Sequence, residues 1–267
     1  MSAKDSTMRT IFVALAVCAV CSILVSTAAV TLRKRQQQNK LLDKRKNILI
    51  AAGMIKPGEK VSRSEIAGLF SRVKKKVINL KKGTETTAVD PAGCSQSQAL
   101  ADNALSYTLN PEEDIAGIKR MVKYGVIYNV YKENKIALTV FPVCGKGLWS
   151  TLYGFIALDK DLNTVRGITF YEHNETPGLG GEIDNSKWQA GWVGRKIYKE
   201  GKPVLKLIKG KAGPAREDPY QVDALSGATL TSKGVTHLIR FWFGSKGYAE
   251  YIKKHQVSPP AEDKEQL

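Results

Sequence analysis

The residue types most able to do chemistry are concentrated in one short segment near the end of the chain, residues 223–232, Asp-Ala-Leu-Ser-Gly-Ala-Thr-Leu-Thr-Ser. Small residues at 226–228 let the backbone approach a ligand closely. The apolar periodicity that follows predicts a helix from about Ser232, and a helix N-terminus offers unpaired N–H groups and a positive dipole end to a phosphate. The pattern fits an anion site, and it fits equally an ordinary turn in which Ser232 caps the helix.

Two glycine-containing loops precede this segment. Residues 172–180, Glu-His-Asn-Glu-Thr-Pro-Gly-Leu-Gly, combine one proline with two glycines, which fixes a tight loop able to lie against a planar ring. Residues 145–150, Gly-Lys-Gly-Leu-Trp-Ser, are not a phosphate loop, because Lys146 is followed by Gly instead of Ser or Thr. By residue type alone, Glu175 is typical of a solvated surface charge and Trp149 of a core aromatic.

Other kinds of site are excluded by residue spacing. The three histidines, His173, His237 and His255, share no metal-binding spacing, and no Gly-x-Ser-x-Gly segment supports a hydrolase. No Gly-x-Gly-x-x-Gly fingerprint follows a predicted strand, so no dinucleotide-binding site is predicted on this chain. The sequence therefore predicts no metal site and no catalytic side chain of these classes.

An uncharged stretch at residues 11–32 predicts a transmembrane helix after a short tail at 1–10. As a helix it rises about 33 Å, enough to cross a hydrocarbon layer of about 30 Å. A cleaved signal peptide is the competing interpretation, because small residues at 26–29 suit a peptidase. The apolar stretch continues to the basic residues at 33–35 and exceeds a signal core, which favours a retained helix.

The net charge of +16 is concentrated just after this stretch, where residues 33–82 hold 16 Lys and Arg against three acidic residues. A basic run beside an apolar span is typical of contact with anionic lipid head groups, at about 1 kcal/mol per nearby cation. The run lacks interleaved aromatics for base stacking, and no zinc-finger spacing is present, so no nucleic-acid partner is predicted. The positive-inside rule places the following domain in the cytoplasm, although long domains translocate despite such charge.

Helical and strand periodicities succeed one another along the rest of the chain. Residues 41–55 and 62–77 are predicted to be helices, the second opened by a Ser-Arg-Ser-Glu capping box, and 83–120 to be a long loop with one short helix. Further predicted elements are strands at 126–131, 135–143, 148–158, 165–171 and 204–208, and a short helix at 187–194.

These elements predict an α+β fold, a twisted antiparallel sheet packed with helices, on a single N-terminal transmembrane helix. The folded domain is expected to cover residues 121–256. Residues 33–120 are expected to be a basic helical linker and variable loop region, and 257–267 a polar tail.

Within the C-terminal segment, Asp223-x-x-Ser226-Gly227-Ala228-Thr229 resembles the flavinylation signature Asp-x-x-Ser-Gly-Ala-Thr, with Ser and Thr interchangeable, of the FMN-binding-domain family. In that family a flavin transferase joins FMN to the last hydroxyl through a phosphoester bond. The resemblance implies that Thr229 carries covalent FMN and that Asp223 serves recognition by the transferase. Thr231 and Ser232 lie outside the acceptor position.

The two glycine-containing loops resemble further segments of the same family. Residues 172–180 are similar to a Glu-x-x-Glu-Thr-Pro-Gly-Leu-Gly-like loop, and residues 145–149 to a Gly-x-Gly-Leu-Trp turn. The resemblance implies that both segments contribute to the flavin pocket. Besides Thr229, the implied cofactor-binding residues are Asp223, Ser226, Gly227, Ala228, Leu230, Thr231, Leu148, Trp149, Glu175, Thr176, Leu179 and Gly180.

Over most of its length the chain resembles the C subunits of sodium-translocating NADH:quinone reductases. The resemblance implies an inner-membrane flavoprotein with a periplasmic domain, which relays electrons from an iron–sulfur centre to a second covalent FMN on a neighbouring subunit, toward ubiquinone. The relay is coupled in the complex to Na⁺ export. In the periplasm Cys94 and Cys144 are candidates for one disulfide. The alternatives are the related G subunits of Rnf electron-transport complexes and a tethered flavin-binding or sensory module without a relay role.

Overall fold

The computed structural model describes residues 7–90, 99–100 and 102–256, and the chain divides into two compact units, one ending at Lys44 and one beginning at Arg45. The first unit consists of helix α1, which spans Thr7–Ala51 and extends into the second. The apolar side chains of its first part, among them Phe12 and Leu24, are exposed, whereas Ile48 and Leu49 near its end are buried. The helix is long and apolar enough to cross a membrane. The predicted helix at 41–55 is the end of α1, which stops before Gly53 at φ +70°.

The predicted helix at 62–77 is wrong in its second half. Helix α2 spans only Arg63–Phe70, and the predicted capping box is present: Ser62 accepts from the Glu65 backbone while the Glu65 side chain accepts from the Ser62 backbone. Strand β1 then covers Val73–Asn79, with Val73, Val77 and Ile78 buried. Three consecutive lysines at 74–76 remove the alternating apolar pattern typical of a strand. The segment is a strand because it pairs with a later strand of the sheet.

Within the described residues, six strands form one antiparallel sheet in the order β2-β1-β5-β6-β7-β8. The predicted meander is confirmed as β5 to β8. Three of its strands are longer than expected, whereas β7 begins at Thr151, three residues later than the predicted 148–158. The strands are β2 (Thr84–Glu85), β5 (Tyr124–Lys132), β6 (Lys135–Lys146), β7 (Thr151–Asp159) and β8 (Val165–Glu172).

The segment at 83–120, predicted to be a loop, contributes more structure than expected. Strand β2 extends the sheet, and β3 (Ser106–Thr108) pairs with β4 (Arg120–Val122) as a small antiparallel ribbon. Because β1 lies in the same sheet as the meander, the sheet also includes part of the segment that we expected to be a linker. Residues 91–98 and 101, including Cys94, lie outside the described residues, so the pairing of Cys94 with Cys144 stays a prediction.

After the sheet come a 3₁₀ helix and several short elements. The 3₁₀ helix covers Gly180–Asp184, and the predicted short helix is α3 (Ser186–Ala190). The strand predicted at 204–208 is shorter than expected: only β11 (Lys206–Ile208) falls in it, and it pairs in parallel with β12 (Gln221–Asp223). Just before it, β10 (Lys202–Pro203) pairs with β9 (Tyr198–Lys199). The chain then forms α4 (Thr229–Trp242) and α5 (Ala249–His255).

Helix α4 packs across β6 and forms the centre of the core. Its buried Trp242 donates from Nε1 to the carbonyl oxygen of Cys144 at 2.7 Å. The ring of Phe141 on β6 lies 5.6 Å from that of Phe243 and 4.9 Å from that of Tyr248. The α+β prediction is therefore confirmed, with the sheet and α4 fixing each other through aromatic side chains.

Candidate functional site

The acceptor segment, residues 223–232, runs from the end of β12 through a short bend into the start of α4. The N–H of Ala224 donates to the carbonyl of Ile208 at 2.9 Å, which continues the parallel β11–β12 pairing up to the bend. Gly227 adopts φ +70°, a conformation that L side chains rarely adopt. The hydroxyl of Ser232 accepts from the N–H of Leu225 at 3.0 Å and so closes the bend. Ser232 thus stabilises the bend from a position inside the helix. The prediction that the helix begins near Ser232 is wrong by three residues, because α4 begins at Thr229.

Thr229 is the first residue of α4, and its side chain is exposed. The N-cap residue is Ala228, which has no side-chain oxygen, and the first helical hydrogen bond runs from the N–H of Ser232 to the carbonyl of Ala228 at 3.0 Å. The N–H groups of residues 229–231 precede that bond. The helix end therefore presents uncapped donors beside an exposed hydroxyl, as a phosphate requires.

Glu175 joins the three segments that the sequence singled out. Its carboxylate is buried, and it accepts from the N–H groups of Leu148 (3.1 Å), Trp149 (2.9 Å) and Ser150 (3.2 Å). It also accepts from the hydroxyl of Thr231 on α4 at 2.7 Å. We call Glu175, Thr231 and the backbone of 148–150 the carboxylate clamp. It draws the 145–150 turn, the 172–180 loop and the start of α4 together.

The clamp keeps Glu175 ionised. Burial acts to raise the pKa of this carboxyl, but the hydrogen bonds from Thr231 and from the backbone of Trp149, Ser150 and Leu148 outweigh it and hold the pKa below its ordinary value. Because both carboxylate oxygens are occupied within the chain, Glu175 has a positioning role here. Residue type alone suggested a solvated surface charge, but the side chain of Glu175 is buried.

Glycines make the close packing of the clamp possible. A Cβ added to Gly147 would lie 2.6 Å from Oε1 of Glu175. A Cβ on Gly180 would lie 2.6 Å from Oγ1 of Thr231 and 2.8 Å from Oε2 of Glu175. All three distances are too short for a carbon atom, so any side chain at these two positions would force the clamp apart.

Four apolar side chains remain exposed on the segments that the clamp brings together. The exposed fractions are 41% for Leu148, 66% for Trp149, 44% for Leu179 and 56% for Leu230. Leu179 lies against the bend, since a Cβ on Gly227 would be 3.0 Å from its Cδ2. Exposed apolar side chains grouped in this way mark binding surfaces. Trp149 is therefore not the core aromatic that residue type suggested.

The remaining predicted residues lie on the same segments. Ser226 is exposed on the bend, and Thr176 is exposed while its carbonyl accepts from the N–H groups of Leu179 (3.1 Å) and Gly181 (2.9 Å). Asp223 lies at the end of β12, where its carboxylate accepts from the N–H of Ala212 at 2.6 Å. The structure thus places every predicted site residue in the acceptor segment or in the two loops beside it.

Sequence reasoning missed the side chains that support these segments. His173 contacts Oδ2 of Asp184 through Nε2 at 2.8 Å, and its Nδ1 accepts from the N–H of Glu175 at 3.2 Å. The hydroxyl of Ser150 accepts from the N–H of Asn174 at 2.7 Å, and Trp188 donates from Nε1 to the carbonyl of Asp223 at 2.8 Å. His173 and Ser150 lie inside the two glycine-containing loops, which is the only sequence signal that could have suggested them, and Trp188 had none.

A family model identifies the class of the folded domain. The family model of the FMN-binding domain matches residues 147–244, which include the 148–150 turn, the 172–180 loop and the acceptor segment. The chain thus contains an FMN-binding domain, and the arrangement of Thr229, the uncapped helix end and the apolar side chains fits such a ligand.

Full-length relatives define the family. The chain is 49% identical to the C subunit of the Na(+)-translocating NADH-quinone reductase of Pseudomonas aeruginosa, covering 94% of this chain and 97% of the relative, and 44% identical to that of Yersinia pestis, covering 94% of each. The crystal structure of Shewanella oneidensis NqrC matches with a TM-score of 0.73 at 33% identity, covering 81% of this chain and 98% of that one. The chain therefore belongs to the family of C subunits of Na(+)-translocating NADH-quinone reductases, as its motifs predicted.

Proposed function

We propose that this chain carries FMN covalently on Thr229, through a phosphoester to the threonine hydroxyl, and serves as an electron-transfer subunit of a Na⁺-translocating NADH:quinone reductase. The observation that carries the proposal is the exposed hydroxyl of Thr229 at an uncapped helix N-terminus, next to a cluster of exposed apolar side chains. FMN supplies the redox chemistry when bound, and the protein supplies position and shielding.

Different residues of the chain would hold different parts of FMN. The N–H groups at 229–231 would donate hydrogen bonds to the phosphate oxygens, and the hydroxyl oxygen of Thr229 would form the ester bond to the phosphorus. Leu148, Trp149, Leu179 and Leu230 would cover the ring system, as exposed apolar side chains do in ligand sites. Thr176 and Gly180 shape the loop beneath Leu179, and the carboxylate clamp keeps both loops against the helix.

The acceptor is tested by two substitutions at Thr229 in chain expressed with a flavin transferase. Thr229→Val removes the hydroxyl with little change of shape, so intact mass should show no FMN. Thr229→Ser keeps a hydroxyl and should retain FMN. Ser186→Ala is the matched control, because it removes an exposed hydroxyl at the first residue of another helix, α3, outside the acceptor segment. Covalent FMN on the Thr229→Val chain would refute the acceptor, and a wild-type chain without FMN would favour a binding or sensory module.

The relay role follows from family membership together with what the sequence lacks. With no nicotinamide fingerprint in the sequence, NADH would be oxidised on another subunit. The chain would pass electrons from an iron–sulfur centre to a second covalent FMN on a neighbouring subunit, toward ubiquinone, coupled to Na⁺ export. Its partners would be the other subunits of the complex, the flavin transferase during maturation, and membrane lipid around residues 11–32 and the basic run.

We further propose that residues 11–32 span the inner membrane and that the flavin domain is periplasmic. Covalent attachment suits that side, because it keeps the cofactor from being lost where FMN is not resupplied. The charge distribution argues for the opposite orientation. Protease added to intact spheroplasts decides between the two: digestion of the domain from outside supports the periplasmic location, and protection until lysis contradicts it.

A further inference from the structure

A second surface feature lies at the other end of α4 from Thr229. A cavity of about 620 Å³ is open to solvent between the β1–β2 turn, the β3–β4 ribbon and the chain after α4. Four lysines and two tyrosines line it, Lys81, Lys82, Lys123, Lys246, Tyr107 and Tyr124, and no acidic residue is part of its described lining. We call it the lysine cleft.

The backbone of the lysine cleft is fixed before any partner binds. The N–H of Lys82 donates to Oδ1 of Asn79 at 2.9 Å, and the carbonyl of Lys82 accepts from Nζ of Lys254 at 2.7 Å. Gly83, at φ +61°, packs so closely on the backbone of Glu250 in α5 that a Cβ would overlap it. The β1–β2 turn that carries Lys81 and Lys82 is therefore held in place, so that a partner need not order it.

The cleft is positively charged even after its internal contacts are counted. Lys246 forms an ion pair with Glu113 at 3.0 Å, and Nζ of Lys123 donates to the carbonyl of Ala104 at 2.8 Å, a contact that leaves its charge uncompensated. Lys81 and Lys82 have exposed side chains. A concave surface lined by one sign of charge attracts the opposite charge and raises its association rate about 10- to 1000-fold.

We propose that the lysine cleft is a docking site for an acidic segment of a partner protein. The inference rests on the proposed function, which makes that partner another subunit of the reductase. Tyr107, exposed at 38%, and Tyr124 offer the aromatic contacts that anchor protein interfaces. An open cleft rimmed by exposed lysines fits an extended acidic segment better than a small molecule, which is usually enclosed by apolar walls.

The location keeps docking and flavin chemistry apart. Helix α4 has 14 residues, so its length between Thr229 and Trp242 is about 21 Å. A segment seated in the cleft would hold this chain in the complex and leave the exposed surface around Thr229 accessible.

The test uses the full-length tagged chain, expressed with the other subunits and the flavin transferase, and measures how much of each partner is recovered with the tag. Lys81→Glu/Lys82→Glu reverses two charges in the cleft. Lys132→Glu/Lys135→Glu, in the exposed β5–β6 hairpin, makes the same charge change elsewhere. We expect recovery of at least one partner to fall about tenfold for the cleft variant, because like charges then face each other. The hairpin variant should match the wild type.

Covalent FMN, measured by intact mass on the same samples, separates the two proposals. Unchanged FMN with reduced recovery supports the cleft and shows that the domain still folds. Equal recovery of every partner for all three chains overturns it, as does a cleft that binds inorganic pyrophosphate in a Lys81- and Lys82-dependent way without affecting recovery. If the wild-type chain recovers none of the other subunits, the proposed function fails together with the docking site.

Discussion

The two ends of helix α4 are built by different physical means. At its C-terminal end, Trp242 and Phe243 are almost completely buried, and the ring of Trp242 stacks on that of Tyr248 at 5.3 Å. At its N-terminal end, Thr229 and Leu230 are exposed, and Thr231 is held from below by the carboxylate of Glu175. One end is fixed by apolar burial, and the other by a buried charge with four donors.

This difference separates stability from function along a single helix. Burial of the C-terminal end provides the free energy that holds α4 on the sheet, so the N-terminal end need not bury its own residues. The carboxylate clamp then fixes the direction of the first turn through hydrogen bonds, which are directional. An exposed hydroxyl is thereby kept in a defined place, which is what an attachment point for a cofactor requires.

The largest expected effect comes from removing the buried end. Trp242→Ala should destabilise the protein by about 3–5 kcal/mol, because it leaves a cavity and removes the donor to the carbonyl of Cys144. Trp149→Ala removes the same side chain from an exposed position and should change stability by less than about 1 kcal/mol. Denaturant unfolding of both variants checks the contrast, and equal losses would show that the two ends are not distinct.

A smaller loss is expected from breaking the clamp. Glu175→Ala leaves the N–H groups of 148–150 and the Thr231 hydroxyl without their acceptor, at a cost of about 2–4 kcal/mol in unfolding free energy. The yield of covalent FMN should fall as well, since the loops lose their common anchor. Glu217→Ala, at an exposed carboxylate outside the three segments of the site, is the matched control and should change neither quantity measurably.

Acidic pH should weaken the same end of the helix. Because the pKa of Glu175 is lower in the folded state than its unfolded value of about 4.3, its stabilising effect is complete above that value and is lost as the pH falls through the folded pKa. Glu175→Gln lacks this titration and should lose less stability on acidification than the wild type. Thermal unfolding of both proteins from about pH 7 down to about pH 3 measures this loss of stability. An equal loss in the wild type and in Glu175→Gln would contradict the role of the carboxylate.

The smallest effect on stability is expected at Thr229 itself. Thr229→Val changes an exposed side chain at the first helical position, so the free energy of unfolding should move by no more than about 0.5 kcal/mol. The comparison is made on unflavinylated chain, expressed without a flavin transferase. A loss of about 2 kcal/mol or more, on the order of a core substitution, would mean that this residue has a structural role and that the two ends are less separate than proposed.

The sequence predicted the meander well, and it located the three segments of the candidate site, because both are local. Strands β5 to β8 alternate or run apolar over short stretches with clear turns between them, and each pairs with its neighbour in the chain. The motif residues are contiguous, so a resemblance could place Thr229 and its neighbours without any knowledge of the fold.

What the sequence did not reveal depends on contacts between distant residues. Strand β1 pairs with β5 some 50 residues later, and its run of lysines is equally compatible with a helix. The role of Glu175 depends on donors 25–27 residues before it and 56 residues after it. Similarly, helix α4 begins at Thr229, and the hydroxyl of Ser232 accepts from the N–H of Leu225 instead of capping a helix, a contact that no local pattern indicates.

The most direct test of the central claim is peptide-level mass spectrometry of the wild-type chain made with a flavin transferase. We expect one FMN, linked through its phosphate, on the peptide that contains Thr229, with fragment ions that assign it to that residue. FMN attached at Thr231 or Ser232, whose hydroxyls are buried and bonded within the fold, or at a residue outside the 223–232 segment, would contradict it.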